Sequence, residues 1–463
     1  MDITFGETFD KVRELFSEPD IENNLTKYVE AIAIIRDIYG KIRVFIEPQE
    51  EVKLAEEAIE NCHQKLAEKL GSYYGEDIWL PEGEGDGYKA LIEVIKEERV
   101  PAEWDDATVS PRWYILERHV AKHAWTTEDA GNPPWPQEVV YAGHQAAVVS
   151  FFSFKGGVGR TTALVATALT LARNGHRVAM VDLDLEAPGL AAIFPADTGD
   201  NTGVIDYLLE KRIQKNWRLA THLRSLGEQA LRGEGEPLRL LPAGYIDEKY
   251  LEKLARLDVQ NLVDKELAKN LRGMLKELAS AAGNLDVILL DARAGFHDLG
   301  GLAIANLSHA AVVFGTQSRQ SWAGLTQVFR RLARPLADEP LPVLLIHSMA
   351  PGLGTREREP ELQEFREKAY SVFQENYYIS QDRAIPNSND REAPFWPVVL
   401  EWQSELRREI ALFPLDSSLG EASRVSGLVS ILTGSPYQEL ASRLCRIVGR
   451  NLKKENEENE GKP

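Results

Sequence analysis

Residues 148–162 read VVSFFSFKGGVGRTT, an order of residue types that can bind a polyphosphate. The apolar run predicts a buried strand over 147–154. Gly156, Gly157 and Gly159 lack a Cβ, so the chain can turn tightly and its backbone N–H groups can converge on one anion. Thr161 and Thr162 then open a helix whose positive end faces the same anion. Two acidic strand ends accompany this turn. Asp182 and Asp184, two residues apart, close the segment HRVAMVDLD, where α/β sheets place their ligands. The apolar run 284–291 ends in Asp291. Phosphoryl transfer needs charge neutralisation and a positioned nucleophile; strand-end carboxylates can hold the neutralising cation and orient the nucleophile.

The turn departs from the ordinary phosphate loop, G-x-x-x-x-G-K-[ST]. Phe154 stands at the first glycine position, Arg160 at the lysine position, and a lysine comes early, at Lys155. The run Lys155, Gly156, Gly157, Val158, Gly159, Arg160, Thr161, Thr162 resembles the deviant Walker A loop of the MinD/ParA ATPases. More narrowly, it resembles a KGGVGR subset with arginine where the family has lysine. Pro188-Gly189-Leu190 matches the turn after the family's D-x-D. Residues 238–254 resemble its strand ending in P-A-G, and 310–328 its strand, loop and helix. The resemblance spans roughly 147–415.

That resemblance implies a set of roles. The run from Lys155 to Thr162 would hold ATP. Thr161, Asp182 and Asp291 would hold Mg²⁺, the two aspartates through water. Asp184 would orient or deprotonate the attacking water. Lys155 would reach across a face-to-face dimer, so that ATP bridges two subunits. Arg160 would donate to phosphate oxygens, but a planar guanidinium needs more room than an ammonium, which puts the speed of hydrolysis in question. The family continues its second acid strand as D-x-P-P-G, whereas this chain has Asp291-Ala292-Arg293-Ala294-Gly295. Arg293 is an extra cation beside the phosphates, either a sensor or a partner for Asp298. Ser348, or backbone near Ile385-Pro386, is the candidate for reading the base; adenine is implied only by the family.

The elements that must position these groups follow from the hydropathy pattern. Strands are predicted at 147–154, 177–182, 238–242, 286–291, 310–315 and 342–347, alternating with helices. That alternation gives a mostly parallel α/β sheet covered on both faces, a P-loop NTPase architecture. A helix over 436–452 closes it by packing on the domain. The domain spans 147–452, and a charged tail over 453–463 is predicted to be disordered. Residues 126–146, rich in Pro, Gly and polar residues, read as a linker. Residues 1–125 read as a small α+β domain that recognises a partner protein. Its predicted helices include 25–40 and 113–125, and its strands 41–48 and 76–82.

Composition limits the alternatives. At 463 residues, with 43% apolar content and nine Trp, the chain has enough apolar residues for real cores. A net charge of −19 opposes broad binding to DNA or anionic lipid. Arg330, Arg331 and Arg334 form the most basic cluster and read as a solvated helix face. Two cysteines, Cys62 and Cys445, offer no disulfide framework, and no apolar run is long enough to cross a bilayer, which fits the cytoplasm. His119 and His123 are spaced i, i+4 on a predicted helix, without the third ligand a metal needs. Three functions remain open. One is an ATP-dependent dimerising switch that controls a partner in regulation, positioning or bacterial defence. The others are a nucleotide-binding scaffold without turnover and an ATP-using metabolic enzyme of the same fold.

Overall fold

The computed structural model describes residues 3–452 except 84, 120, 127–129, 195–201, 215, 259–263, 335–338, 380–383, 408–409 and 414–418. The tail at 453–463 lies outside the described residues. The chain divides into two compact units, 1–120 and 121–463.

The first unit is a five-stranded sheet with helices on both faces. Its strands are β1 (Val29–Arg36), β2 (Ile42–Pro48), β3 (Tyr74–Trp79), β4 (Val100–Pro101) and β5 (Arg112–Glu117), in the order β3-β2-β1-β5-β4. Helices Thr8–Phe16 and Glu56–Leu70 pack Val12, Leu15, Cys62 and Leu66 against Ile32, Ile34, Val44 and Ile46. Helix Asp86–Glu98 covers the other face, with Ile92 and Ile95 against Ile35, Phe45 and Leu116. Two sequence expectations are corrected here. The predicted helix over 25–40 is a short 3-10 turn, Thr26–Tyr28, followed by β1. The predicted helix over 113–125 is mostly β5. Both runs lie inside the sheet, so consecutive apolar residues are buried on alternate faces and the period of two is hidden. His119 and His123 consequently share no helix: among the described residues near them the helical turn is His123–Thr126.

The second unit is an eight-stranded sheet: β6 (Ala147–Ser153), β7 (Val178–Asp182), β8 (Arg224–Leu226), β9 (Leu238–Leu241), β10 (Val287–Asp291), β11 (Ala310–Gly315), β12 (Val343–Ala350) and β13 (Val398–Glu401). The order is β13-β12-β11-β6-β10-β7-β9-β8. Every pairing is parallel except β8 with β9. Strands β6, β7, β10 and β11 are buried along their whole length. Alternate residues feed two cores: Val148, Phe152, Val181 and Leu290 on one face, Val149, Phe151, Met180 and Leu289 on the other. The second core buries the helix Arg160–Arg173 between the sheet and the helices Leu419–Leu432 and Ser435–Ile447. Leu440, Leu444, Val448 and Leu452 belong to that core, so the apolar side of the last helix faces protein. No helix among the described residues is long and apolar enough to cross a membrane.

The segment read as a linker, 126–146, is anchored at a few of its described residues. Trp135 stacks on His309 with ring centroids 6.1 Å apart, and its Nε1 donates to the Ala146 carbonyl at 2.8 Å. Helix Gln137–Tyr141 buries Val140. Pro and Gly punctuate turns there, but Trp135 and Val140 anchor them. The reading of three arginines as a solvated face also changes. Of the three, Arg330 alone is exposed; Arg331 is buried and its Nε donates to the Ala124 carbonyl at 2.8 Å.

One buried group gives this unit a pH dependence. His347 on β12 stacks on Phe365, with centroids 3.9 Å apart and planes 7° from parallel. Its Nε2 stands 3.2 Å from a Glu361 oxygen, and Nδ1 is buried without a hydrogen bond. Burial, followed by the nearby Arg366 and Arg358 charges, pulls the imidazole down to about 4. The unfolded chain therefore binds a proton that the folded chain rejects. This contribution is complete above the ordinary histidine range near 6.5 and is lost as pH falls toward 4. His347→Phe keeps the stacking and removes the titration. Urea unfolding at pH 7 and pH 4.5 should show the variant losing less stability than the wild type, by up to about 3 kcal/mol. Equal losses would exclude the effect.

Candidate functional site

The turn after β6 is shaped by two positive dihedrals. Gly157 has φ +74° and Gly159 φ +76°, in the region L side chains avoid, and added Cβ atoms would meet nothing within 4 Å. The glycines thus answer a backbone demand beside open space. Phe154, at the first glycine position of the ordinary pattern, is a packing anchor. Its ring lies 5.0 Å from that of Phe296, and a Cβ built on Gly324 would fall 2.1 Å from it. Gly156 to Thr162 line a cavity of about 650 Å³ with Asp184, Ala294, Ser348, Trp402, Arg407 and Tyr437. Lys155 is exposed and stands outside that lining.

Beneath the turn the three aspartates converge, because β10 pairs in parallel with both β6 and β7 and Asp291 lies opposite Asp182. Asp182 is fully buried and accepts hydrogen bonds from the backbone N–H groups of Asp184, Gly189 and Leu190, each at 3.0 Å. Asp291, also fully buried, accepts from Thr161 Oγ1 at 2.6 Å. Burial pushes both carboxyls above the usual carboxylate range. The mutual Asp291 charge adds to this at Asp182; Arg160 and Thr161 oppose it at Asp291.

Arg160 lines the cavity, but its guanidinium is taken up by two carboxylates. It is buried, with its Nε 2.6 Å from Asp291 Oδ1 and an Nη 3.0 Å from Asp184 Oδ2. The fork that distinguishes arginine from lysine spans two carboxylates from two strand ends. Of the three aspartates, only Asp184 lines the cavity. Arg293, read as a sensor or as the partner of Asp298, pairs with Glu186 at 2.6 Å and stands 3.5 Å from Asp184. Asp298 pairs with Lys122 instead.

The donor set suits a triphosphate with Mg²⁺. All nearby side-chain ligands are hard oxygens, the donor class that Mg²⁺ takes. Among the described residues, no group of three or more His, Cys, Asp or Glu side chains could hold a metal ion alone, so Thr161 and phosphate oxygens would have to complete the shell. Ser348 Oγ donates to the Val158 carbonyl and lines the cavity, whereas Ile385 and Pro386 do not. Trp402 and Arg407 follow the four-residue strand β13, and Tyr437 lies in the first turn of the last helix. None of the three was marked in the sequence by a recognisable signal.

A family profile described as the CobQ/CobB/MinD/ParA nucleotide binding domain matches residues 149–395, just over half of the chain. The chain belongs to this family. Its loop, D-x-D turn and second acid strand all fall inside the matched region. Among solved structures, the CobQ/CobB/MinD/ParA chain described here is similar to pNOB8 ParA bound to nonspecific DNA (15% identity, 65% of this chain and 98% of that one covered, TM-score 0.42). It is also similar to MinD with Mg-ADP from Pyrococcus horikoshii OT3 (16%, 68% and 98%, TM-score 0.39). A third is cobyrinic acid a,c-diamide synthase from Mycobacterium smegmatis with an ATP analogue and magnesium (20%, 48% and 82%, TM-score 0.36). No curated protein sequence matches the chain.

Proposed function

We propose that residues 147–452 form an ATP-dependent switch of the MinD/ParA kind, and that residues 1–125 recognise the partner it controls. The carrying observation is the glycine turn and Thr161 lining a cavity together with Asp184, with Asp291, bonded to Thr161, and Asp182, bonded to the Asp184 N–H, buried behind that lining. Backbone N–H groups from Gly156 to Thr162 would bind the phosphates. Thr161, Asp182 and Asp291 would hold Mg²⁺, which supplies charge neutralisation for phosphoryl transfer. Asp184, on the cavity wall, would position the attacking water. Lys155 is exposed and outside the cavity lining, which supports a reach toward a second subunit across an ATP-bridged homodimer.

The test is titration of ATP with Mg²⁺ followed by calorimetry, with sedimentation of the same samples. Saturable binding and a shift from monomer to dimer are expected. Gly157→Val places a β-branched residue at φ +74° and should abolish binding. No heat with any purine triphosphate would refute the cradle, and a chain that binds ATP yet stays monomeric would refute the dimer. One observation favours a second reading, a scaffold without turnover. Arg160 pairs with both Asp291 and Asp184, which holds the acids in place. Phosphate release under saturating ATP separates the two.

A further inference from the structure

Arg293 is the second residue after the end of β10, on the loop that borders the cavity. Its neighbour Ala294 lines the cavity wall. Gly295, at φ +75°, donates its N–H to the Ser153 carbonyl at 3.1 Å, which ties this loop to the base of the glycine turn. The Arg293 guanidinium is held at one end only. One Nη sits 2.6 Å from Glu186 Oε2. The other is buried without a hydrogen bond, 3.5 Å from Asp184 Oδ1, too far for a good one. Glu186 is a shared anchor, because its second oxygen lies 2.8 Å from His297 Nε2. Asp184 has Arg160 on its other oxygen, so it keeps a cation if Arg293 leaves. Arg293, Glu186 and His297 also border a small cleft otherwise walled by leucines, among them Leu208, Leu254 and Leu299.

We propose that Arg293 is a γ-phosphate-sensing residue that exchanges Glu186 for the terminal phosphate of a bound nucleoside triphosphate. The inference rests on the reading of the cavity as a triphosphate cradle. An unpaired buried guanidinium N–H is costly, and a phosphate oxygen relieves that cost with a charge-assisted bond. A diphosphate has no terminal group at that place, so the exchange distinguishes ATP from ADP. Arginine suits this work because its forked donors match a phosphoryl group, and it carries its charge at any physiological pH. Glu186 sets the threshold: the tighter it holds Arg293, the weaker the preference for the triphosphate.

The experiment measures dissociation constants for Mg-ADP and for Mg²⁺ with a non-hydrolysable ATP analogue, in wild type, Arg293→Ala, Arg293→Lys and Glu186→Gln. Thermal melts confirm that each variant folds. Arg293→Ala should weaken the triphosphate analogue about tenfold, one charge-assisted bond's worth, and leave ADP within about twofold. Arg293→Lys should recover part of the preference. Glu186→Gln, which loosens the anchor without removing the cation, should strengthen the analogue relative to ADP. An equal loss for both nucleotides in Arg293→Ala would assign the residue a structural role and overturn the inference. A Glu186→Gln variant that weakens the analogue as Arg293→Ala does would overturn it as well. A wild type that binds neither nucleotide overturns the cradle reading and this inference with it, an outcome distinct from the other two.

Discussion

Arg160→Ala should cost the folded chain about 3–5 kcal/mol, because it leaves two carboxylates without the guanidinium buried between them. The side chain is 9% exposed, Asp291 1% and Asp184 11%, so water cannot take over its role without opening the floor of the site. Urea denaturation should show the midpoint falling with an unchanged slope. Arg160→Lys restores the family's usual residue but not the fork. One ammonium cannot reproduce the Nε bond to Asp291 and the Nη bond to Asp184 together, so a smaller loss of about 1–3 kcal/mol is expected. The pair Arg160→Met and Asp184→Asn should be strongly non-additive, since each change removes the other's penalty. A loss under about 0.5 kcal/mol in Arg160→Ala, the range of ordinary surface substitutions, would show that the buried pairs do not hold the floor together.

Asp184→Asn should lower phosphate release at saturating ATP and Mg²⁺ by at least about 100-fold, the usual weight of a positioned base. Affinity for the non-hydrolysable analogue should change far less. The asymmetry follows from position. Asp182 and Asp291 are fully buried beneath the turn, while Asp184 alone of the three opens on the cavity. Asparagine matches it in size and still accepts from Arg160, but it cannot take a proton from water. Turnover equal to wild type would remove Asp184 from the chemistry and leave the scaffold reading in place.

The chemistry was legible where the spacing is local. Gly156 to Thr162, Asp182 with Asp184, and Asp291 all lie within short stretches whose strand and turn patterns are strong. The six strands read between 147 and 347 are all present in the structure, within a few residues of the expected ends. What the sequence hid was direction. Arg160 reads as a phosphate ligand from its place in the loop. Only the parallel pairing of β10 with β6 and β7 shows that Asp291 and Asp184 meet beneath it. Arg293 has Asp298 five residues away and Glu186 more than a hundred away, and it is the distant one that it pairs with. In the first unit, β1 and β5 were read as helices because both faces of the strand are apolar. β8, three residues long, is too short for periodicity to show, and β13 was not marked in the sequence.

The contact between Phe154 and Gly324 has a consequence for comparing related chains. A ring at one position fills the space that a missing Cβ leaves at the other. A relative that restores glycine at position 154 would open a hole the size of a phenyl group above the helix Arg319–Leu332. Natural variation at these two sites should therefore be coupled, a bulky residue at either one accompanying a small residue at its mate. Such correlated exchange, read across an alignment, would separate this branch's loop from the ordinary kind without reference to the arginine.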